Sequence, residues 1–424
     1  MKMTYFVNTM FLLEGAQTSV LCDPWITTGL KSLTGLYNFP ELQMTMDDLT
    51  EIKPDFIYIS HTHADHYDPQ TLAVFDRNTP VLVSWYKNNF TAKAVKRLGF
   101  NDVRICPQGD YLELNGNDKV WIEPSAVYSA VDSLGVFQID NHRLLNANDC
   151  VYDQTQCEDL VRRIGKIDIA CCPSGFQGPY PAFYTNLSEV ERTAEAAKKK
   201  LYNFEMVLGY LRSISPDYFV SLTGGAAYGG DKALLMKYCG IGTTKEVIEF
   251  VEQSEVKVKA LKLSESCSYD FETGVSEGQY IAHSYDTQLE YLKRIANIPV
   301  PFDKGGLFYV EPSEWIDLTP LFVGARKRQS EWQSRLNIES DSVFYIDTNQ
   351  GWVYRFCLAD ETVQKLDAPI DDAYEKFTVP YGLMIGLLTR HYNYSNVKTQ
   401  FIWFYRQPDV FNPDLHILMS YLQL

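Results

Sequence analysis

The sequence predicts a mixed α/β protein with a β-rich front portion and an added α+β portion behind it. Three observations carry that reading. Short β-branched and apolar runs crowd the first 170 residues. The apolar period lengthens at Ser188 to that of a helix. Beyond about residue 241, helical and strand-like patterns are mixed. At 424 residues the chain exceeds one ordinary core, so one large domain with additions, or two domains, is expected.

The strands come first. YFVNT, MFLLEG, TSVLCDPW, DFIYIS, PVLVSW, DVRICP, KVWIEP, LGVFQID, HRLLNA and IDIACC are brief runs bounded by Gly, Asn, Asp or Pro. Only short helices, over 70–77 and 90–98, fit between them. From Ser188, Val190, Ala194, Ala197, Leu201, Phe204, Leu208 and Leu211 recur in steps of three and four, as an amphipathic helix requires. Ser188 and Glu191 form a capping-box pattern at its start. SISPDYFVSL ends the helix and opens a strand, and the Gly-rich turn TGGAAYGG follows. TTKEVIEFVEQ and YDTQLEYLKRIAN read as helices, KGGLFYVEPSEW as a strand, and SVFYIDTNQGWVYRFCLAD as a hairpin turning at Asn349-Gln350-Gly351. The aromatic-rich end from Val379 is expected to be helical. The expected division is residues 1–240 and residues 241–424, the second part packed on the first.

Composition narrows the partners. A 46% hydrophobic, 22% charged chain is an ordinary packed globule. A formal charge of −16 argues against a nucleic-acid groove or an anionic membrane as partner. The best apolar run, YGLMIGLL, is far too short to span a bilayer, and the N-terminus lacks a signal-peptide pattern. The 9 cysteines are odd in number and scattered, and Cys22, Cys106 and Cys171 sit in strand-like context. Reduced, buried thiols in a cytoplasmic protein are expected.

Residues 58–68, YISHTHADHYD, hold three of the chain's 7 histidines. Imidazole and carboxylate donors together suit zinc, iron or manganese. His61 and His63 alternate about Thr62, so both can face one ion. Asp65 and His66 follow and can face a second. His142, His283, His391 and His416 read as surface or packed residues. Lys198, Lys199 and Lys200 read as a solvated helix face. GGAAYGG lacks the Lys-Ser/Thr of a phosphate-binding loop.

His61-x-His63-x-Asp65-His66 resembles the HxHxDH signature of the metallo-β-lactamase superfamily. TSVLCDPW resembles that family's early strand ending in Asp-Pro, and HRLLNANDC its strand ending in the metal-bridging aspartate, here Asp149. The resemblance covers about residues 1–240 and implies an αββα sandwich. CDPWITTGL, ISHTHADH, LLNANDC, CCPSGFQGPYPAF and PDYFVSLTGGAAYGGDK are similar to the metallo-β-lactamase-like domain of CMP-N-acetylneuraminate hydroxylases and their bacterial relatives. The animal enzymes carry a Rieske domain ahead of this fold. No Cys-x-His pair precedes His61 here, so no iron–sulfur cluster is expected, nor a flavin or nicotinamide.

The family's dinuclear site uses two further histidines. The matching places carry tyrosines, Tyr128 and Tyr228, with Asp132 or Glu123 as carboxylates near the first gap. Three readings stand. His61, His63, Asp65, His66 and Asp149 hold one or two ions while the tyrosines are structural; or a phenolate binds metal, which favours iron(III); or the site has decayed and the protein only binds. The leading expectation is a metallo-hydrolase using metal-activated water, with Zn or Fe and with Asp65 and Asp149 in the catalytic roles. The alternatives are a non-haem iron oxygenase fed by a separate ferredoxin or reductase, and a non-catalytic binding protein. A small-molecule substrate, a sugar or nucleotide sugar, is what the resemblance implies.

Overall fold

The structure, a computed structural model, describes residues 1–29, 35–127, 132–176, 178–222 and 225–424. Two large sheets face each other. The first runs in the order Ser276–Glu277, Ser268–Asp270, Lys2–Val7, Met10–Glu14, Ser19–Cys22, Phe56–Tyr58, Val81–Ser84, Val103–Cys106. The second runs Lys259–Leu261, Tyr218–Leu222, Ile169–Pro173, His142–Asn146, Ser133–Ile139, Lys119–Pro124, Leu112–Glu113. Each is antiparallel in one half and parallel in the other.

Period-two alternation sorts the side chains into layers. Phe56 and Tyr58 point between the sheets, whereas Ile57 points outward. Leu144 and Ile169 point inward; Leu145 and Ala170 point outward. Both faces of each sheet are covered, which is why these strands read as continuous apolar runs rather than alternating ones. Leu72, Ala92 and Val95 of the helices Pro69–Leu72 and Phe90–Arg97 cover the first sheet. Helices Gln154–Ile164, Glu189–Ile214 and Thr244–Glu252 cover the second through Leu160, Val207, Leu211 and Val247. The result is the αββα sandwich expected from the resemblance. Strands Lys259–Leu261, Ser268–Asp270 and Ser276–Glu277 lie beyond residue 240 and complete the edges of both sheets.

The rest of the chain builds a five-stranded sheet in the order Val363–Leu366, Val353–Cys357, Val343–Asp347, Tyr374–Thr378, Trp403–Gln407. Phe344, Phe356, Phe377 and Phe404 form its core, and Trp25, Tyr37, Phe183 and Tyr228 of the front portion join the same core. Backbone bonds stitch the parts together: Thr185 N donates to Phe404 O at 2.7 Å, and Phe404 N to Phe183 O at 3.0 Å.

Four expectations are corrected. The helix over Glu189–Ile214 has its capping box, Ser188 with Glu191, but the forecast stripe is buried only in its second half. Val190 and Leu201 are exposed. The inner face there is Arg192, Ala196, Lys199 and Asn203, which are also three or four apart. Arg192 and Lys199 donate to the carbonyls of Tyr184 and Tyr180, and Asn203 donates to that of Gly240. The first half of the helix thus docks on loop carbonyls rather than on side chains. Lys199 is accordingly not solvated, and burial pulls its ammonium down to about 8; Lys200 pairs with Glu246. The strand expected in KGGLFYVEPSEW is replaced by turns and a single 3-10 turn at Pro312–Glu314. A Cβ at Gly306 would meet the Val300 carbonyl oxygen at 2.0 Å, so this segment folds back tightly instead of extending. The terminal segment is helical over Tyr381–Leu388, Tyr394–Phe401 and Pro413–Met419, but Trp403–Gln407 between them is a sheet strand.

Candidate metal centre

Strand Phe56–Tyr58, paired on both sides, leads into a tight turn, with His66 N and Tyr67 N both donating to His63 O. This tight turn projects His61, His63, Asp65 and His66 into one space. Asp68 then caps the short helix Pro69–Leu72 and fixes the far end of the loop. Across the sandwich, Ser133 Oγ donates to Ser60 O at 2.7 Å, and Asn148 Nδ2 donates to Ser133 O. These bonds lock three segments together: the histidine loop, the start of strand Ser133–Ile139, and the Asn148-Asp149 turn.

Two overlapping sets of donors result. His61, His63 and Asp132 converge, and so do His61, His66 and Asp149, with the ligand atoms of each set within 4.8 Å of one another. His61 belongs to both sets. His61 Nε2 lies 2.8 Å from His63 Nδ1 and 3.5 Å from Asp132 Oδ1. His66 Nε2 lies 3.2 Å from Asp149 Oδ2 and 3.6 Å from Asp65 Oδ2. Asp65 is steadied by Asn8 Nδ2 at 3.2 Å.

The supporting residues fix which ring nitrogen is offered. His66 Nδ1 lies 2.9 Å from Asp23 Oδ2, which leaves Nε2 for an ion. Ser60 Oγ donates to the same Asp23 oxygen at 2.6 Å and lies 3.0 Å from His61 Nδ1. Asp23 also accepts the Ser60 backbone N–H at 2.8 Å and the Thr9 hydroxyl at 3.2 Å. A carboxylate behind a ligating imidazole is the usual device for setting tautomer and basicity at metal sites.

Electrostatics agree with that design. Burial pulls the His61 imidazole well down, with His66 and His63 adding to it, so it is neutral and free to ligate. Burial also lowers His63, against the pull of Asp65. His66 goes the other way: burial opposes its charge, but Asp149, Asp65 and Asp23 outweigh it and hold it well above its ordinary value. Burial pushes the Asp132 carboxyl up to about 7, with Asp149 and Asp65 adding. Asp132 Oδ1 is buried and has no hydrogen-bond partner within the described residues. Crowded carboxylates and an orphaned buried oxygen are the arrangement that a cation relieves. The donors fit a metal.

Of the other candidates, Tyr128 lies outside the described residues. Tyr228 is buried in the short strand Ala226–Tyr228, with its ring edge-on to Phe183 at 5.2 Å. Burial, then Cys239 and Asp65, push its hydroxyl well up in the metal-free chain. Glu123 is paired at 2.6 Å with Arg163. His283 contacts Gln288, His142 faces Glu272, and His416 bonds Tyr394 and lies 3.1 Å from Glu375. Asp23, Ser60, Thr9 and Asn8 were missed by the sequence reading. The sequence signal for Asp23 is the Asp-Pro that follows the apolar strand Ser19–Cys22; in the structure Asp23 takes a left-handed φ of 39°, a conformation that non-glycine residues seldom adopt without cause. All nine cysteines are unpaired, eight of them buried. Among the described residues, no helix is long and apolar enough to cross a membrane.

Residues 2–197 match the model of the beta-lactamase superfamily domain, and the two facing sheets of the front portion are consistent with the metallo-β-lactamase fold. Over 229 residues, 52% of this chain, it is 24% identical to the cytidine monophosphate-N-acetylneuraminic acid hydroxylase of Danio rerio, covering 38% of that protein. The chain thus spans well under half the length of this curated relative. Among solved structures it resembles the isothiocyanate hydrolase from Delia radicum gut bacteria, at 16% identity and a TM-score of 0.46, covering 64% of this chain and 99% of that one. It also resembles CmlA, a diiron beta-hydroxylase from Streptomyces venezuelae, at 15% identity and a TM-score of 0.42, covering 61% and 52%.

Proposed function

We propose that the protein is a metal-dependent hydrolase. The observation that carries this reading is the pair of donor sets sharing His61, with the unpartnered Asp132 oxygen 3.5 Å from His61 Nε2. A divalent ion held there supplies Lewis acidity and a water acidified towards neutral pH. His61, His63 and Asp132 would hold an ion, or His61, His66 and Asp149 would; with Nδ1 on Ser60, His61 offers the single nitrogen Nε2. Asp65, oriented by Asn8, would add a carboxylate oxygen to the centre or accept a proton from a water there. Asp149 anchors the centre from the opposite sheet, so the two sheets must stay in register for the site to form.

The second reading is a non-haem iron hydroxylase. It is favoured by the match to a hydroxylase over half of the chain and by a donor set in which three carboxylates accompany three imidazoles, a mixture that iron accepts readily. Under it the substrate is a sugar or nucleotide sugar, and electrons come from a separate ferredoxin or reductase. Metal analysis of the purified protein separates the two. Zinc with turnover of hydrolysable esters, lactones or amides supports the hydrolase. Iron with reductant-dependent oxygen consumption supports the hydroxylase. Protein that refuses both metals defeats both.

A further inference from the structure

Strand Val81–Ser84 pairs in parallel with Phe56–Tyr58, and Val103–Cys106 pairs in parallel with Val81–Ser84, so all three leave their sheet at the same edge. The histidine loop follows the first strand, residues 85–89 follow the second, and Gln108 follows the third. Across the sandwich, Pro124 is in register with Ser133, and Ser125 N donates to Asp132 O at 2.9 Å. Ser133 Oγ in turn donates to Ser60 O, just ahead of His61. Loops at the carboxyl ends of parallel strands are where ligands gather, because a rigid sheet positions them.

Two clefts, of about 350 Å³ and about 360 Å³, open among these loops and share Gln108 and Pro124. The first is mainly apolar, and Trp85, Tyr86, Phe90 and Pro124 are in its wall. Trp85 is 39% exposed, the most exposed of the chain's 7 tryptophans. A large ring left in water beside a cleft marks a surface that something covers. Its loop is already closed by its own bonds. Asn89 N donates to Tyr86 O at 2.9 Å, Tyr86 N donates to Asn89 Oδ1 at 3.1 Å, and the Tyr86 and Phe90 rings lie 4.9 Å apart. Tyr86 itself is buried, which raises its hydroxyl, and it is hydrogen-bonded to Ser133, the neighbour of Asp132. The cleft thus borders the segment that brings Asp132 to the centre.

We propose that Trp85 and Phe90 line a specificity subsite of the metal centre, and that the substrate presents a flat, uncharged ring to it. The inference rests on the metal-centre reading above. A ring laid on the indole removes apolar surface from water on both partners, and the preformed loop loses little freedom in receiving it.

The test uses the full chain loaded with cobalt(II), whose visible spectrum reports ligands reaching the centre, titrated with methylphosphonate and separately with phenylphosphonate. Both probes offer the same anionic head to the ion; only the second carries a ring. Wild type, Trp85→Ala and Trp85→Phe are compared. The expected result is equal cobalt content and equal methylphosphonate binding in all three. Phenylphosphonate is expected to bind the wild type about tenfold or more tighter than methylphosphonate, with a preference of about twofold or less in Trp85→Ala and a near-wild-type preference in Trp85→Phe. If the wild type shows no preference for the ring, if the preference survives in Trp85→Ala, or if neither phosphonate changes the spectrum, the subsite is overturned while the metal centre stands. If Trp85→Ala weakens both probes equally, the residue does not read the ring and the proposal is likewise overturned. If the wild type takes up no cobalt, the metal-centre reading fails first and this inference falls with it.

Discussion

Asp23 Oδ2 lies 2.9 Å from His66 Nδ1 and receives the Ser60 hydroxyl at 2.6 Å, so one buried carboxylate steadies His66 directly and His61 through Ser60. Neither bond is visible in the histidine signature itself, yet both determine which nitrogens face the ions.

Asp23→Asn keeps an acceptor for the Ser60 amide but removes the charge behind His66. Metal affinity is expected to fall by about 10–100-fold, with the far-UV spectrum unchanged. Competition against a chelator of known affinity measures it. Affinity equal to wild type contradicts the supporting role of Asp23.

Asp132→Asn separates the cost of the metal-free site from its use. In the folded, metal-free chain the Asp132 carboxyl is pushed up to about 7, above its unfolded value, because burial and then Asp149 disfavour its charge. Its protonated form is therefore the one the fold prefers. That contribution is complete below the ordinary carboxylate pKa of about 4 and is lost as pH rises through about 7. Metal-free Asp132→Asn is expected to match wild type near pH 4 and to exceed it by about 1–3 kcal/mol at pH 8. Metal-loaded Asp132→Asn is expected to bind one ion more weakly. Chelated samples unfolded in urea at several pH values show whether the gap opens in that direction.

Lys232→Met removes the cap on helix Tyr394–Phe401 and strands the carbonyls of Thr399 and Ile402. A loss of about 1–3 kcal/mol is expected, because two buried acceptors lose their shared donor. Urea unfolding gives the value; a loss below about 0.5 kcal/mol removes the capping role.

Much of the sandwich was legible in the sequence because each strand is covered on both faces and so writes itself as an unbroken apolar run. Phe56 to Ile59 is the plainest case, inward and outward residues alike being apolar. The signature loop was legible for a different reason: its spacing is dictated by ligand geometry. The first half of helix Glu189–Ile214 was misread because its inner face meets loop carbonyls. Polar Arg192, Lys199 and Asn203 turn inward there, while Val190 is left in solvent. Asp132 and Asp23 were hidden or under-weighted because their meaning depends on distant segments. Asp132 is defined by His61, and Asp23 by Ser60 and His66.

The most direct measurement is the metal content of the purified chain by inductively coupled plasma mass spectrometry, beside that of His61→Ala/His63→Ala. The wild type is expected to carry one or two equivalents of zinc or iron, and the double variant to lose most of it while keeping its fold, because His61 serves both donor sets. A wild-type chain that takes up no metal, or a double variant that retains the wild-type content, would contradict a metal centre at these residues.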